Sequence, residues 1–303
     1  MKRYTTYAIS VALMLCFVIV FSTVAEKKFE KKFSVGQGGT LTLKTDVGDV
    51  EITGASSGEV SVVVEMRGTQ RDIDGFDIST SQNDKGVEVK GRSRRSGWFS
   101  WFGDSPEVRF TVMVPREYSA EVNTSGGNIT VTNLKGKIQG ETSGGDLNIR
   151  DIEGSITLET SGGNMYAEKV TGDLHLQTSG GDIQILAITG DIDVRTSGGN
   201  VKISDVDGKV KAETSGGDVV VKAKNGNKGI SAETSGGDID IFVPKNISAT
   251  IDASTTGGEV RCDLPVTMSG RLDESRIHGT VNGGGNPIRA YTSGGDVRIR
   301  AAD

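Results

Sequence analysis

The chain has 303 residues, with 34 Lys and Arg against 40 Asp and Glu for a net charge of −6, and it carries 43 glycines, 5 prolines and 2 cysteines. The acidic balance argues against nucleic acid as a partner, and so few cysteines exclude a disulfide-built scaffold. An aperiodic glycine excess would fit disorder, but these glycines recur at fixed intervals among β-branched residues, as in an ordered β chain.

The first segment reads as an export signal. Lys2 and Arg3 precede an apolar run from Ala8 to Phe21, and Ser22-Thr23-Val24-Ala25 supply small residues before Glu26. That order marks residues 1–25 as a secretory signal peptide cleaved after Ala25. The run falls short of the roughly 20 residues of a comfortable membrane span; an uncleaved amino-terminal anchor is the alternative. Cys16 is a poor lipidation site, because Leu15 before it is too large. Cleavage would remove Lys2 and Arg3 but no acid, moving the charge from −6 to −8 and leaving Cys262 as the sole thiol. The mature protein is then expected in the periplasm, at the cell surface or outside the cell, held together by its core and ladder hydrogen bonds.

Residues 26–121 read as an all-β amino-terminal region. Leu41–Leu43, Val50–Ile52, Val60–Val64, Ile73–Ile78, Val87–Val89 and Val108–Val114 are candidate strands with irregular connections. Thr45-Asp46-Val47-Gly48-Asp49 resembles a decayed copy of the repeat described below. Within this region Arg92-Ser93-Arg94-Arg95-Ser96-Gly97-Trp98-Phe99-Ser100-Trp101-Phe102 holds both tryptophans of a chain that is only 5% aromatic. Arg92, Arg94, Arg95, Trp98, Phe99, Trp101 and Phe102 are therefore candidate contacts for a membrane interface, where indole rings sit at headgroup level and Arg meets anionic lipid. They equally suit a protein or glycan contact. The structural alternative is a long hairpin whose aromatics fold back over the open end of the stack.

From Thr124 the sequence becomes periodic. Thr-Ser-Gly-Gly recurs at Thr124, Thr142, Thr160, Thr178, Thr196 and Thr214, every 18 residues, then at Thr234, as Thr-Thr-Gly-Gly at Thr255, and again at Thr292. A fixed period means stacked identical units. In the unit from Thr142 the apolar positions are Leu147 and Ile149, Ile152, then Ile156 and Leu158, and the next unit repeats them. Alternation of this kind is the signature of strands with one buried face. Each unit thus holds two short strands and two turns: one at Ser-Gly-Gly (Gly144 and Gly145, Gly180 and Gly181), the other at single glycines such as Gly154. Glycine suits both, because positive φ costs it almost nothing.

These features predict an all-β protein, a parallel β-solenoid of about 18-residue coils at the strand spacing of about 4.8 Å. The apolar spacing does not fit the six-residue rhythm of the left-handed hexapeptide helix. The expected organisation is a signal peptide (1–25), an amino-terminal all-β region or cap (26–121), solenoid repeats (122–259) and carboxy-terminal coils and cap (260–303). Following the alternation inward, Thr160 and its equivalents point into the corner, where their hydroxyls can satisfy turn backbone groups. Past the glycines the column reads Asn128, Asp146, Asn164, Asp182, Asn200, Asp218. Interleaved Asn separates carboxylates that would otherwise repel at one-rung spacing by roughly 1 kcal/mol in water.

The signal segment, the β-rich start, the serial Thr-Ser-Gly-Gly-Asp units and the Gly283-Gly284-Gly285 turn before Tyr291-Thr292-Ser293-Gly294-Gly295-Asp296 resemble the bacterial putative-adhesin family, a domain of unknown function built from β-strand repeats. The resemblance spans nearly the whole mature chain. It implies an extracytoplasmic β-solenoid acting as a binding or scaffolding module, and it brings no catalytic residues and no cofactor.

The residues themselves offer little chemistry. His175 is expected outward between Leu174 and Leu176, and neither it nor His278 has a neighbouring Cys or His; surface histidine is the default. Cys262 matches the inward positions of Ile241 and Ile299. Asp173, Asp191 and Asp193, followed by Lys209 and Lys211, could line a glycan groove, so a polysaccharide lyase or hydrolase is the enzyme alternative. Asp146, Asp182 and Asp218 are weak calcium candidates, since Gly-Gly-Asp lacks the second Gly-x-Asp of the calcium β-roll. The partners expected are an envelope or extracellular protein or glycan, or a membrane surface.

Overall fold

The computed structural model describes residues 25–94, 106–224, 226–268 and 273–302. Among the described residues, two long, mostly parallel sheets face each other across one core: sheet A with 13 strands and sheet B with 14. A 13-stranded sheet at about 4.8 Å per strand is roughly 58 Å across. Each coil gives one strand to each sheet and is named below for its threonine. In the Thr142 coil, Ile138–Thr142 lies in sheet B and Leu147–Glu153 in sheet A.

Register is what converts the repeat into a fold. Ile138 pairs with Ile156, and Ile156 with Leu174; Leu147 pairs with Met165, and Met165 with Ile183. Every apolar position therefore becomes a buried column one side chain wide, and the columns of the two sheets meet as a continuous core. Parallel in-register pairing tolerates no slip, because a one-residue shift would turn each column to solvent.

The spacing of inward residues in sheet A has its own cause. Leu147, Ile149 and Ile152 are all buried, yet the last interval is three rather than two. Asp151 between them lies at φ 56, and so, one coil apart, do Asn133 (56), Lys169 (54), Ala187 (59) and Asp205 (56). One left-handed residue per coil bends the strand and restores the inward alternation after it. Asn and Asp tolerate that conformation through local side-chain bonding, whereas it costs other residues roughly 1–2 kcal/mol. Asn133 also bonds across coils, donating from Nδ2 to Gly54 O at 2.7 Å. Ala187 has no such group, so Ala187→Asn is expected to raise the melting temperature by about 2–4 °C, equivalent to roughly 1 kcal/mol in a chain of this size. A lower melting temperature by circular dichroism would show that this column carries no strain.

Coils follow one another in space as in sequence from Thr124 to Thr234. At both ends the order changes. The first coil of the chain, Thr40–Thr45 with Asp49–Ala55, pairs on one side with the Thr124 coil and on the other with Gly86–Ser93 and Glu107–Pro115. Thr45-Asp46-Val47-Gly48-Asp49 is thus a true corner of the stack, with Thr45 opposite Thr124. At the other end, the Thr292 coil (Asn286–Thr292, Val297–Ala302) lies between the Thr234 coil (Ile230–Glu233, Ile239–Pro244) and the Thr255 coil (Ala249–Thr255, Val260–Cys262). Residues 286–302 fill an inner rung. The far end is closed instead by the Thr255 coil and the antiparallel strands Val266–Met268 and Arg276–Val281.

The opposite edge of sheet A is the antiparallel strand Ala25–Ser34, paired with Glu59–Gly68. Lys27, Phe29, Lys31 and Phe33 lie opposite Met66, Val64, Val62 and Val60, which are core residues. Lysines on the inward side of an edge strand discourage pairing with another chain. The Lys31 ammonium lies 5.1 Å from the Phe33 ring centroid.

Candidate functional site

The most regular surface of the molecule is the corner made by Thr-Ser-Gly-Gly-Asx. Its threonines are buried and bridge successive coils. Thr160 Oγ1 donates to Gly145 O at 3.1 Å, Thr178 to Gly163 O at 3.0 Å, Thr196 to Gly181 O at 2.9 Å and Thr214 to Gly199 O at 2.8 Å. Each hydroxyl also accepts the N–H of its own second glycine, as in Gly163 N to Thr160 Oγ1 at 3.4 Å. Thr142 does the same with Gly127 O and Gly145 N. Thr124 Oγ1 has two acceptors in reach, Gly126 O of its own turn at 3.0 Å and Gly48 O of the preceding coil at 3.5 Å. Thr178→Val keeps the shape but leaves Gly163 O and Gly181 N without this partner inside the stack. Such a loss costs about 1–3 kcal/mol; Thr178→Ser, which keeps the hydroxyl, is expected to cost less. Equal denaturation midpoints for the two variants would refute the role of the hydroxyl.

The glycines of this corner serve close approach. Gly144 and Gly180 have ample room for a side chain, whereas a Cβ on Gly145 or Gly181 would lie 1.8 or 2.0 Å from the glycine carbonyl of the preceding coil. None of these four lies in the positive-φ region; at this corner Gly48 and Gly127 do, and the conformation recurs at the second turn, at Gly136, Gly154, Gly172 and Gly190.

The Asx column is a relay of hydrogen bonds. Asn128 Oδ1 accepts Asp146 N at 2.8 Å, Asp146 Oδ1 accepts Asn164 N at 2.7 Å, and the chain of acceptors continues through Asn164, Asp182 and Asn200 to Asp218. Asp218 Oδ1 in turn accepts Asp238 N at 2.8 Å. The three calcium candidates, Asp146, Asp182 and Asp218, each therefore have one carboxylate oxygen committed to a backbone N–H. No group of three or more His, Cys, Asp or Glu suited to a metal occurs among the described residues. Beyond Asp218 the alternation with Asn stops, and Asp238 is followed by Asp296. Arg298 stands there, 2.9 Å from Asp238 Oδ2 and 2.6 Å from Asp296 Oδ2. The Asp296 N–H, and then Arg298, hold the Asp238 carboxyl below its usual range against the opposing effect of burial.

The acids considered for glycan chemistry divide in two. Asp173 Oδ1 accepts Asp191 N at 3.1 Å and Asp191 Oδ1 accepts Lys209 N at 2.9 Å, a second relay at the other turn. The sequence carried its signal, a polar residue after each second-turn glycine, but the alternation alone placed these acids on a strand face. Asp193 is on the outward face of sheet B, 3.7 Å from both His175 Nδ1 and Arg195 Nε. Arg195 continues to Glu213 at 2.9 Å, and Glu213 to Lys211 at 2.7 Å. This is an alternating charge lattice on a half-exposed sheet. Cys262 is half-buried beside Ile299, and burial pushes its thiol up, away from a nucleophilic thiolate.

Of the arginine and aromatic candidates, Arg94 makes a bidentate pair with Asp77, at 2.5 and 2.6 Å, which lowers the Asp77 carboxyl. Arg92 is exposed and has no ion-pair partner among the described residues. With Lys44 and Lys90 it borders an open groove of about 310 Å3 beside Asn123 and Ser125, although Lys44 pairs with Glu121 at 3.3 Å and Lys90 with Glu88 at 2.6 Å. Arg95, Trp98, Phe99, Trp101 and Phe102, like the signal segment 1–24, lie outside the described residues. Sheet A adds a surface that sequence reasoning missed. Tyr166, Leu186, Val220 and Phe242 share its outward face with Lys202 and Lys222, and the ladder pairs Lys202 with Val220 and Lys222 with Phe242. Lys222 and Arg300 lie 5.2 and 5.7 Å from the Phe242 ring. Period-two alternation marked these residues only as outward; their clustering follows from register.

The family described as Toastrack DUF4097 matches residues 27–300. Among solved structures, the chain is similar to a putative adhesin from Bacteroides fragilis, with 15% identity, coverage of 91% of this chain and 97% of that one, and a TM-score of 0.43. A putative cell adhesion protein from Clostridium sporogenes shares 15% identity over 91% of this chain and all of that one, with a TM-score of 0.25. A putative lipid binding protein from Parabacteroides distasonis shares 14% identity over 90% and 97%, with a TM-score of 0.41. No curated protein matches the chain.

Proposed function

The chain belongs to the Toastrack DUF4097 family, and on that footing we propose that it is a non-enzymatic, exported β-solenoid that works as an adhesin-like binding or scaffolding module at the bacterial cell envelope. One observation carries this reading. Polar groups that could have served chemistry are spent on holding coil to coil, and what faces outward is two continuous sheet surfaces. Asp173 and Asp191 accept backbone N–H groups, the threonine hydroxyls face inward, and Asp193 sits in a lattice of opposite charges. Export rests on the order of residues in 1–25; no described helix is long and apolar enough to cross a membrane.

The contact surfaces proposed are the outward face of sheet A around Phe242 and the end bearing Arg92, from which residues 95–105 continue. The partner would be an envelope or extracellular protein or glycan, or an anionic membrane surface. A pull-down from envelope extract with the mature chain tests this. Partners retained by the intact protein should be reduced by Lys202→Glu with Lys222→Glu, or by deletion of residues 97–103. Release of reducing ends from polysaccharide by the purified protein, abolished by Asp191→Ala with Asp193→Ala, would establish the enzyme reading in its place.

A further inference from the structure

The carboxy-terminal coils are joined to the rod in an unusual way. Among the described residues, every strand in 249–281 pairs either within that segment or with the Thr292 coil, and none with a strand before residue 249. Residues 249–302 therefore form one block of two coils and a cap, and only the Thr292 coil pairs it with the Thr234 coil. The covalent link is the short turn Pro244-Lys245-Asn246-Ile247-Ser248, closed by Ile247 N donating to Pro244 O at 3.2 Å.

The seam between rod and block is chemically distinct from the others. The Asp238–Asp296 rung lacks an interleaved Asn, as the Asp218–Asp238 rung within the rod already does, and it differs in the arginines set against it. The block supplies Arg298, against Asp238 at 2.9 Å and Asp240 at 3.7 Å, and Arg300, against Asp240 at 3.4 Å. Asn227 and Asn286 exchange side-chain bonds across the same seam, at 2.5 and 2.9 Å. The block, self-paired and balanced in charge overall, thus turns a basic pair, Arg298 and Arg300, to one acidic edge, and that edge is the same on every copy of the chain.

We propose that the block 249–302 docks in trans as well as in cis, so that two copies exchange blocks about the Pro244–Ser248 hinge and form a dimer linked at their carboxy-terminal ends. The occupant of the Thr234 edge is then the block of a second copy, held by the same ladder and the same Arg298 and Arg300 contacts. Exchange creates no new interface, and short hinges favour it. This inference stands apart from the proposed function, since it concerns assembly and needs no ligand.

Ser231 and Arg289 face outward on adjacent parallel strands across the seam, within the Cα separation a disulfide accepts. In a Cys16→Ser, Cys262→Ser background, the chain carrying both Ser231→Cys and Arg289→Cys is oxidised first, and an intrachain bond verifies the geometry. Two single-cysteine chains, one Ser231→Cys and one Arg289→Cys, are then mixed, taken through mild denaturant, refolded and oxidised. The expected result is a disulfide-linked heterodimer, at least about tenfold more abundant than from Lys211→Cys with Arg289→Cys, which lie one rung further apart. Its fraction should rise in proportion to protein concentration while small. Inserting Gly-Ser-Gly after Asn246 should reduce it. An intrachain bond in the double variant together with heterodimer no more abundant than the Lys211 control would overturn the proposal.

Discussion

Gly163→Ala is expected to destabilise the solenoid severely while its neighbour Gly162→Ala does almost nothing. A methyl on Gly163 would lie 1.9 Å from Gly145 O and 2.4 Å from Gly145 C, both in the preceding coil, whereas the nearest atom to a methyl on Gly162 is 3.9 Å away. Overpacking typically costs about 1–3 kcal/mol when side chains can yield. Here the obstacle is backbone already fixed by the Thr160 Oγ1 bond to that same Gly145 O, so moving it would also break a bridge between coils. A cost at or above about 3 kcal/mol corresponds to a melting temperature lower by roughly 6–12 °C for a chain of this size. Because coils contact only their neighbours, exchange protection should fall first around the Thr142 and Thr160 coils and less toward the ends. Equal melting temperatures for the two alanine variants would mean that the stack can spread by a methyl group at one corner.

The contrast between adjacent glycines also marks where sequence reasoning reached and where it stopped. An 18-residue period with apolar residues two apart leads directly to in-register parallel coils, and Thr160 can be turned inward by counting back from Leu158. Counting cannot say why a glycine is present, since positive φ and close approach leave the same letter. Gly154 requires both, at φ 145 with a Cβ 2.1 Å from Gly136 O, whereas Gly163 requires only the second. The left-handed column was also encoded, in the three-residue step from Ile149 to Ile152, but only as a missing alternation. Coil order at the ends was less legible still. Thr234, Thr255 and Thr292 head nearly identical units, so any pair of them could stack with the same buried columns. The order found sets Arg298 beside Asp238, 60 residues away in sequence, but Arg261 holds the same register in the Thr255 coil, so the letters alone do not select it. The surface around Phe242 was hidden for a similar reason. Its members come from separate coils, and only register brings them together.

Ending the chain at Gly285 is expected to have the largest effect of all, and to have it far from the cut. The deletion removes Ile288, Val297 and Ile299, all fully buried. Burial of such side chains contributes about 1.5–3 kcal/mol each, so their loss approaches the whole stability of a domain, about 5–15 kcal/mol. Residues 249–281 would lose the coil through which, among the described residues, they pair with the rod. At the same time Gly237 O would lose the Thr292 hydroxyl and Ile239 N the Asp296 carbonyl, leaving the Thr234 coil as an open edge in both sheets, a template for another chain. Hydrogen exchange should show 249–281 unprotected while the coils from Thr124 to Thr196 remain protected, and size-exclusion chromatography should show aggregates. Removing Ala25–Ser34 from the other end provides the comparison. That strand is largely exposed and the strand beneath it, Glu59–Gly68, still pairs with Glu107–Pro115, so the rod should keep its protection. Persistent protection of 249–281 in the shortened chain would show that the cap folds without its final coil, and would remove the inner rung as the element that holds the end of the molecule together.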